Sequence, residues 1–241
     1  MKHKMKKTRK PIVILTTLAM ILSLGSGVTM PRKAQAVDYE LKNPVIDSDG
    51  VTTWDCVYFG NYWQEDTNDD GVADEKDEKQ PIKWRVLSVD GNDAFLMADQ
   101  NLDVGEYNTS DTRVTWKNCT IRSWLNGYDS SSNVENTDYS SGNFIDTAFT
   151  AAEQSAILQT DVINEDNPRY GTEGGDDTRD RVYLLSIAEV SDVSYGFNSE
   201  FDTSSKTRVS INTAYTDRKS ELDSIYWISW FVVVAFIRFF W

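Results

Sequence analysis

Residues 82–98 constrain the fold more than any other stretch. Ile82-Lys-Trp-Arg-Val-Leu-Ser88 alternates apolar and polar residues, Asp90-Gly91-Asn92 is turn chemistry, and Ala94-Phe-Leu-Met-Ala98 is a second short apolar run. Alternation at period two marks a half-buried strand, and a tight Gly/Asn turn between two such runs predicts an antiparallel hairpin. The preceding run, Trp54-Asp-Cys-Val-Tyr-Phe-Gly60, is dense in β-formers and ends at glycine, so it predicts a further strand.

The rest of the chain does not repeat this pattern. Thr115–Asn126 sets Ile121, Trp124 and Leu125 on one helical face, with Trp116 a turn earlier and Gly127 as a stop. Thr150-Ala-Ala-Glu153 and Ser186-Ile-Ala-Glu189 are capping boxes that open short helices. Arg181–Leu185 predicts a strand, and Asn164–Asp180, with its Pro, Gly and acids, a long loop. Strands followed by helices without regular alternation give an α+β class: a single domain with a mainly antiparallel sheet, a few short helices and long loops.

Charge divides the chain. Its 24 Lys+Arg and 38 Asp+Glu sum to −14, but eight of the basic residues and none of the acids lie in residues 1–36, so the other 205 residues carry −22. Residues 1–36 read as a cleavable secretory signal peptide: a basic Met1–Lys10, an apolar Ile12–Leu24 and a small-residue Ala34-Gln35-Ala36 box. An uncleaved anchor is the competing reading, with an apolar run short of the roughly 20 residues a span needs. The expected location is secreted or in the cell envelope. Residues 37–53 form a polar lead-in, and the body runs over 54–215. At −22 that body is a poor partner for nucleic acid or anionic lipid. The sole histidine, His3, lies in the removable segment, which excludes histidine-based triads and histidine metal sites in the remainder.

The acids are not spread evenly. Residues 66–77 read Asp-Thr-Asn-Asp-Asp-Gly-Val-Ala-Asp-Glu-Lys-Asp. Oxygen side chains fall at loop positions 1, 3, 5, 9 and 12 (Asp66, Asn68, Asp70, Asp74, Asp77), Gly71 stands where the loop must turn, and Val72 stands where a backbone carbonyl ligates. Calcium needs that oxygen density, so these residues are the expected calcium site, inserted between strands. Asp77 replaces the longer Glu of the EF-hand pattern; thrombospondin and dockerin loops resemble the version seen here. A solvated acidic turn is the bland alternative.

Three further features bear on function. Cys56 and Cys119, the only cysteines, are a candidate disulfide in an oxidising compartment; two small buried side chains is the other reading. Among the aromatic residues, Trp84 and Trp124 fit core faces, leaving Tyr62 and Trp63 as candidates for a surface platform that binds ligand. Glu165, Asp166, Asn167, Glu173, Asp176 and Asp177 make a second acid-rich loop, the place to look for the carboxylate pair of a glycan hydrolase.

The segment Val57-Tyr-Phe-Gly-Asn-Tyr62, Ile82–Leu87, Trp116 with Arg122-Ser-Trp-Leu-Asn126, Ala148–Glu153 and Tyr183-Leu-Leu-Ser186 together resemble an uncharacterised domain-of-unknown-function family of exported Gram-positive gut-bacterial proteins, over about residues 54–215. The layout also resembles the C-type-lectin-like fold. The resemblance implies a closing Trp-Trp-Leu-Arg-Ser-Pro-Gly-like segment, which is missing. Residues 216–241 instead end in the apolar Ile225–Trp241, interrupted by Arg238. A buried final strand, a membrane tail (the one route to membrane association) and a shifted reading frame compete, and the abrupt change after Tyr215 favours the frameshift, with loss of the last core strand. The functional expectation is an exported, non-catalytic, calcium-stabilised domain that binds a cell-surface or extracellular ligand, glycan or peptide. A carboxylate-dependent glycan hydrolase is the alternative.

Overall fold

A computed structural model describes residues 40–168, 170–198, 206–222, 230–233 and 236–240. The signal segment 1–36 lies outside them. In the lead-in, β1 (Val45–Ile46) and β2 (Thr52–Thr53) form a short antiparallel ladder. Then β3 (Cys56–Tyr62), β4 (Gln80–Asp90) and β5 (Asp93–Ala98) run antiparallel in sequence. The expected hairpin is β4–β5, closed by Gly91-Asn92, with Asp90 opposite Asp93.

Bulges in the β3–β4 and β4–β5 ladders decide which side chains face inward. In β4 the register slips between Val86 and Ser88, and Ile82, Trp84, Val86 and also Leu87 are fully buried. In β3 it slips between Tyr58 and Asn61. Ahead of the slip Cys56 and Tyr58 point outward; after it Gly60 and Tyr62 point inward. Gly60 has φ +70°, and a Cβ there would lie 2.5 Å from the Phe149 ring, so glycine is required on both counts.

The chain continues through β6 (Gln100–Asn101), β7 (Asp103–Glu106), a helical turn at Trp116–Asn118 and α1 (Thr120–Asn126), which ends on Gly127 in the left-handed region. Next come α2 (Phe144–Ala148) and α3 (Ala151–Ala156). The predicted box caps α3: Thr150 Oγ1 accepts from Glu153 N at 3.3 Å and Glu153 accepts from Thr150 N at 2.8 Å. The other Glu153 oxygen takes Gly60 N–H, tying the cap to the β3 bulge. The pair β8 (Thr160–Val162) and β9 (Thr178–Asp180) precedes β10 (Val182–Tyr183), then β11 (Ile211–Asn212), α4 (Ala214–Leu222), β12 (Trp230–Val233) and β13 (Phe236–Phe240). The second capping box forms its reciprocal bonds, Ser186 N–H to Glu189 at 2.8 Å and Glu189 N–H to Ser186 Oγ at 3.2 Å, but opens only a single helical turn at Glu189–Ser191.

The main sheet has the order β10-β13-β5-β4-β3. Its core gathers Trp84, Phe95, Phe144, Tyr183 and Phe197, with α1 packed on β10 and α2 on β3. The class is α+β, as the order of elements predicts.

The C-terminal stretch departs from expectation. The last core strand is present: Phe236–Phe240 runs between β5 and β10, and Ile237 is fully buried. Nor is Tyr215 a boundary, because α4 passes through it. The Arg238 guanidinium sits 4.9 Å from the Phe95 ring centre, while its buried Nε has no hydrogen-bond partner among the described residues. The charge is accommodated here against the face of an aromatic ring. Among the described residues no helix is long and apolar enough to cross a membrane.

Candidate functional site

The site is built around one buried carboxylate. Asp180, at the end of β9, is wholly inaccessible and takes five side-chain donors. Arg122 of α1 reaches it through Nε at 2.9 and 3.0 Å and Nη2 at 2.9 Å; Trp116 Nε1, Tyr128 Oη and Thr178 Oγ1 donate at 2.9, 2.9 and 2.7 Å. Burial, with Asp180 alongside, pushes the Tyr128 hydroxyl well above its ordinary range. One turn on from Arg122, Asn126 Oδ1 accepts from Arg181 N and Val182 N at 3.0 Å each, and its Nδ2 donates to Val182 O at 2.8 Å. The Arg-Ser-Trp-Leu-Asn motif is thus a structural clamp that joins α1 to the edge of the main sheet.

The clamp holds the base of residues 163–177, the long loop between β8 and β9. Its backbone is fixed by its own polar side chains. Asp177 accepts from Asn164 N at 2.9 Å, Asn164 Nδ2 donates to Asp176 O at 2.8 Å, and Asp166 accepts from Gly174 N at 3.0 Å. Gly174 lies against the Asn164 and Glu165 carbonyls, and a Cβ on Gly175 would come 2.7 Å from Thr115. Lys117 holds Asp176 at 2.7 Å and keeps its carboxyl below the usual range.

Between this loop and the Leu184–Ser191 segment lies a cleft of about 940 Å³. Trp116, Leu184, Leu185, Ile187 and Val190 give it apolar walls. Glu165, Asp166 and Glu173 stand exposed along the loop side, and Arg208 also lines it. Of the six polar residues singled out in this loop, Asp176 and Asp177 act in holding it together, Asp166 and Asn167 both bond the loop backbone and line the cleft, and Glu165 and Glu173 line the cleft. Sequence reasoning found that loop but missed the opposite wall, whose only signal was the Tyr-Leu-Leu-Ser run.

The other acidic loop behaves differently. Asp66 accepts from Asp70 N and Gly71 N at 3.3 and 2.7 Å, Asn68 accepts from Asp70 N at 2.9 Å, and Asp70 accepts from Val72 N at 2.9 Å. Asp77, 6% exposed, accepts from Thr67 N, Thr67 Oγ1, Asn68 N and Asp74 N between 2.7 and 3.1 Å. Those N–H groups, Asp74 first, hold its carboxyl below the ordinary carboxylate range. Asp74 is paired with Lys76 at 2.8 Å. Among the described residues no three His, Cys, Asp or Glu side chains are grouped to hold a metal ion. The donors suit a hard cation, but a cation would have to displace N–H groups and Lys76 from them.

Two expectations are corrected. Tyr62 offers no platform: the β3 bulge turns it inward, it is 2% exposed, and its hydroxyl donates to Asp103 at 2.6 Å, which Lys219 also contacts at 2.7 Å. Burial and the Asp103 charge push that hydroxyl far above its ordinary value. Trp63 is half-buried, with Tyr215 against its ring at 5.7 Å and Lys79 over it at 4.5 Å. The disulfide is not formed: Cys56 is exposed on the outward face of the edge strand, while Cys119 is buried and bonds to Trp116 O at 3.1 Å.

Fold and cleft define an α+β domain with a preformed groove at one sheet edge. Residues 91–230 match the model of the domain of unknown function DUF6273, and the chain belongs to that family. The Arg122–Asn126, Ala148–Glu153 and Tyr183–Ser186 motifs fall within the match, which runs past Tyr215; Val57–Tyr62 and Ile82–Leu87 precede it. No curated protein and no solved structure matches the chain.

Proposed function

We propose that this chain is an exported, non-catalytic binding domain whose cleft takes an extracellular peptide. The observation that carries this reading is the make-up of the cleft: apolar walls on the Leu184–Ser191 side face exposed carboxylates at Glu165, Asp166 and Glu173. Such a groove favours a ligand with both apolar and basic side chains. Peptide is preferred to glycan because a sugar platform needs a bare aromatic face, and Tyr62 is buried while the half-buried Trp63 carries Lys79 over its ring. The C-type-lectin-like layout lends no support, since the Glu-Pro-Asn and Trp-Asn-Asp sugar-site tripeptides are absent.

Calcium belongs to the same proposal, as a stabiliser held by Asp66, Asn68, Asp70, Asp74, Asp77 and the Val72 carbonyl. Its support is the order of oxygens along the loop and the turn at Gly71, φ +86°.

The test is selection of a random peptide display library on the purified protein and on Ala188→Trp, which fills the cleft from an exposed position. Enrichment of peptides mixing Lys/Arg with apolar residues on the first and not the second is the expected result. Equal enrichment on both would remove the cleft from the account. Glu165 and Glu173 lining one groove is the observation that favours the hydrolase reading. That reading requires cleavage of labelled oligosaccharides, abolished by Glu165→Gln or Glu173→Gln.

A further inference from the structure

The edge of the main sheet that faces the cleft is only partly closed. β10 is the outermost strand, with β13 on one side. On its other side Asn126 occupies both the N–H and the C=O of Val182. The polar groups of Val182 therefore point away from β13. Along an antiparallel strand successive residues direct these groups to alternate sides. Tyr183, opposite Phe236, thus addresses β13, and the same alternation carried one residue past the end of β10 turns Leu184 toward the open edge. Among the described residues the Leu184 N–H and C=O have no hydrogen-bond partner. The Leu184 side chain lines the cleft, beside Leu185. The side-chain amide of Asn126 imitates a pairing strand for one residue, and the place next to it is open.

We infer that the cleft captures its ligand by strand addition: an extended peptide pairs its backbone with Leu184, continuing the sheet beyond β10. This rests on the peptide-binding reading above and specifies its mode. Unpaired backbone groups at a sheet edge are a ready template for another chain. An added strand sends alternate side chains to opposite faces, one set toward the apolar wall and the other toward Glu165, Asp166 and Glu173. The occupant is accordingly an extended peptide in which apolar and basic residues alternate. Asn126 and the Ser186–Glu189 box bound the pairing on either side of Leu184, because the backbones of Val182 and Ser186 are already taken.

The probe is fluorescein-labelled acetyl-Val-Lys-Val-Lys-Val-amide, read by fluorescence anisotropy on the full chain. Two analogues carry N-methyl groups on alternate amides, one in each register, and a third replaces Lys with Glu. Strand addition predicts that one methylated register loses at least about tenfold in affinity while the other binds as the parent does, since only one set of amides faces the sheet. The Glu analogue should bind at least about tenfold more weakly. Exchange of the Leu184 amide hydrogen should slow when the parent binds. Parent binding that Ala188→Trp abolishes, with both methylated peptides equal to the parent, overturns strand addition and leaves the cleft reading standing. No binding of the parent also overturns it, and the cleft reading then stands or falls with the display selection. None of these outcomes depends on a backbone variant folding.

Discussion

Two acidic loops, each joining antiparallel strands, show how little an acid-rich sequence says about use. The loop between β3 and β4 engages several carboxylates with its own backbone and buries that of Asp77. Asp66, Asp70 and Asp77 all accept N–H groups of the loop itself, and Asp77 alone takes four donors. The loop between β8 and β9 also bonds its own backbone through Asn164, Asp166 and Asp177, and in addition leans on Lys117, Thr115 and the Asp180 clamp at its base. That arrangement leaves Glu165, Asp166 and Glu173 along the cleft. In the first loop Asp66, Asp70 and Asp77 are taken up by local N–H groups; in the second Glu165 and Glu173 line the cleft. The lesson is that the destination of each oxygen lone pair, rather than the count of acids, separates scaffold from site.

The comparison breaks first at Asp180. Asp180→Ala leaves the Arg122 guanidinium, 13% exposed, without its carboxylate and should cost about 3–5 kcal/mol in denaturant unfolding. A loss below about 1 kcal/mol would mean that the second loop does not hang on this clamp. The glycines come next. Gly174→Ala has no room against the Asn164 and Glu165 carbonyls and should cost about 3 kcal/mol and distort the cleft. Gly71→Ala meets nothing within 4 Å and bears only the left-handed backbone cost of about 1 kcal/mol. Equal effects in thermal melts would erase the contrast between a packed and an open loop.

Calcium sharpens the contrast further. If the first loop takes the ion, saturating calcium at about a hundredfold its dissociation constant should stabilise the protein by about 2.7 kcal/mol, and Asp66→Asn should abolish the response. An unchanged melting temperature with and without chelator would leave that loop as a self-satisfied acidic turn. The smallest effect is acid sensitivity. The folded Asp77 carboxyl titrates below its ordinary 3.8. Its contribution is therefore complete above about 3.8 and is lost as the pH falls through the lower folded value. Asp77→Asn should flatten the stability profile below that point and leave its slope near neutrality unchanged.

Local chemistry was legible in the sequence and distant chemistry was not. The β4–β5 hairpin and the Thr150–Glu153 box depend on neighbours a few residues apart, and both form. The inward turn of Tyr62 depends on a bulge, whose one signal was a glycine inside a strand pattern. The Asn126–Val182 contact bridges 56 residues and imitates backbone with a side chain, which no spacing rule reads. The strand at Phe236–Phe240 reads Phe-Ile-Arg-Phe-Phe, with no clear period of two, so its pairing with β5 and β10 had no local signal. Of the candidate site, the loop carrying Glu165 and Glu173 was visible as an acid-rich insert, but the cleft was not, because its other wall is apolar and looks like core.

The place of Phe236–Phe240 also sets an order of assembly. Its pairing partner Asp93–Met97 is made early and β10 much later, yet neither edge is covered until this last strand arrives. Closing so long a span is entropically slow, and every partial chain displays two open strand edges. A polypeptide of this design cannot complete its main sheet piecemeal as it emerges. The five-stranded order is therefore reached only when Phe236–Phe240 docks between β5 and β10.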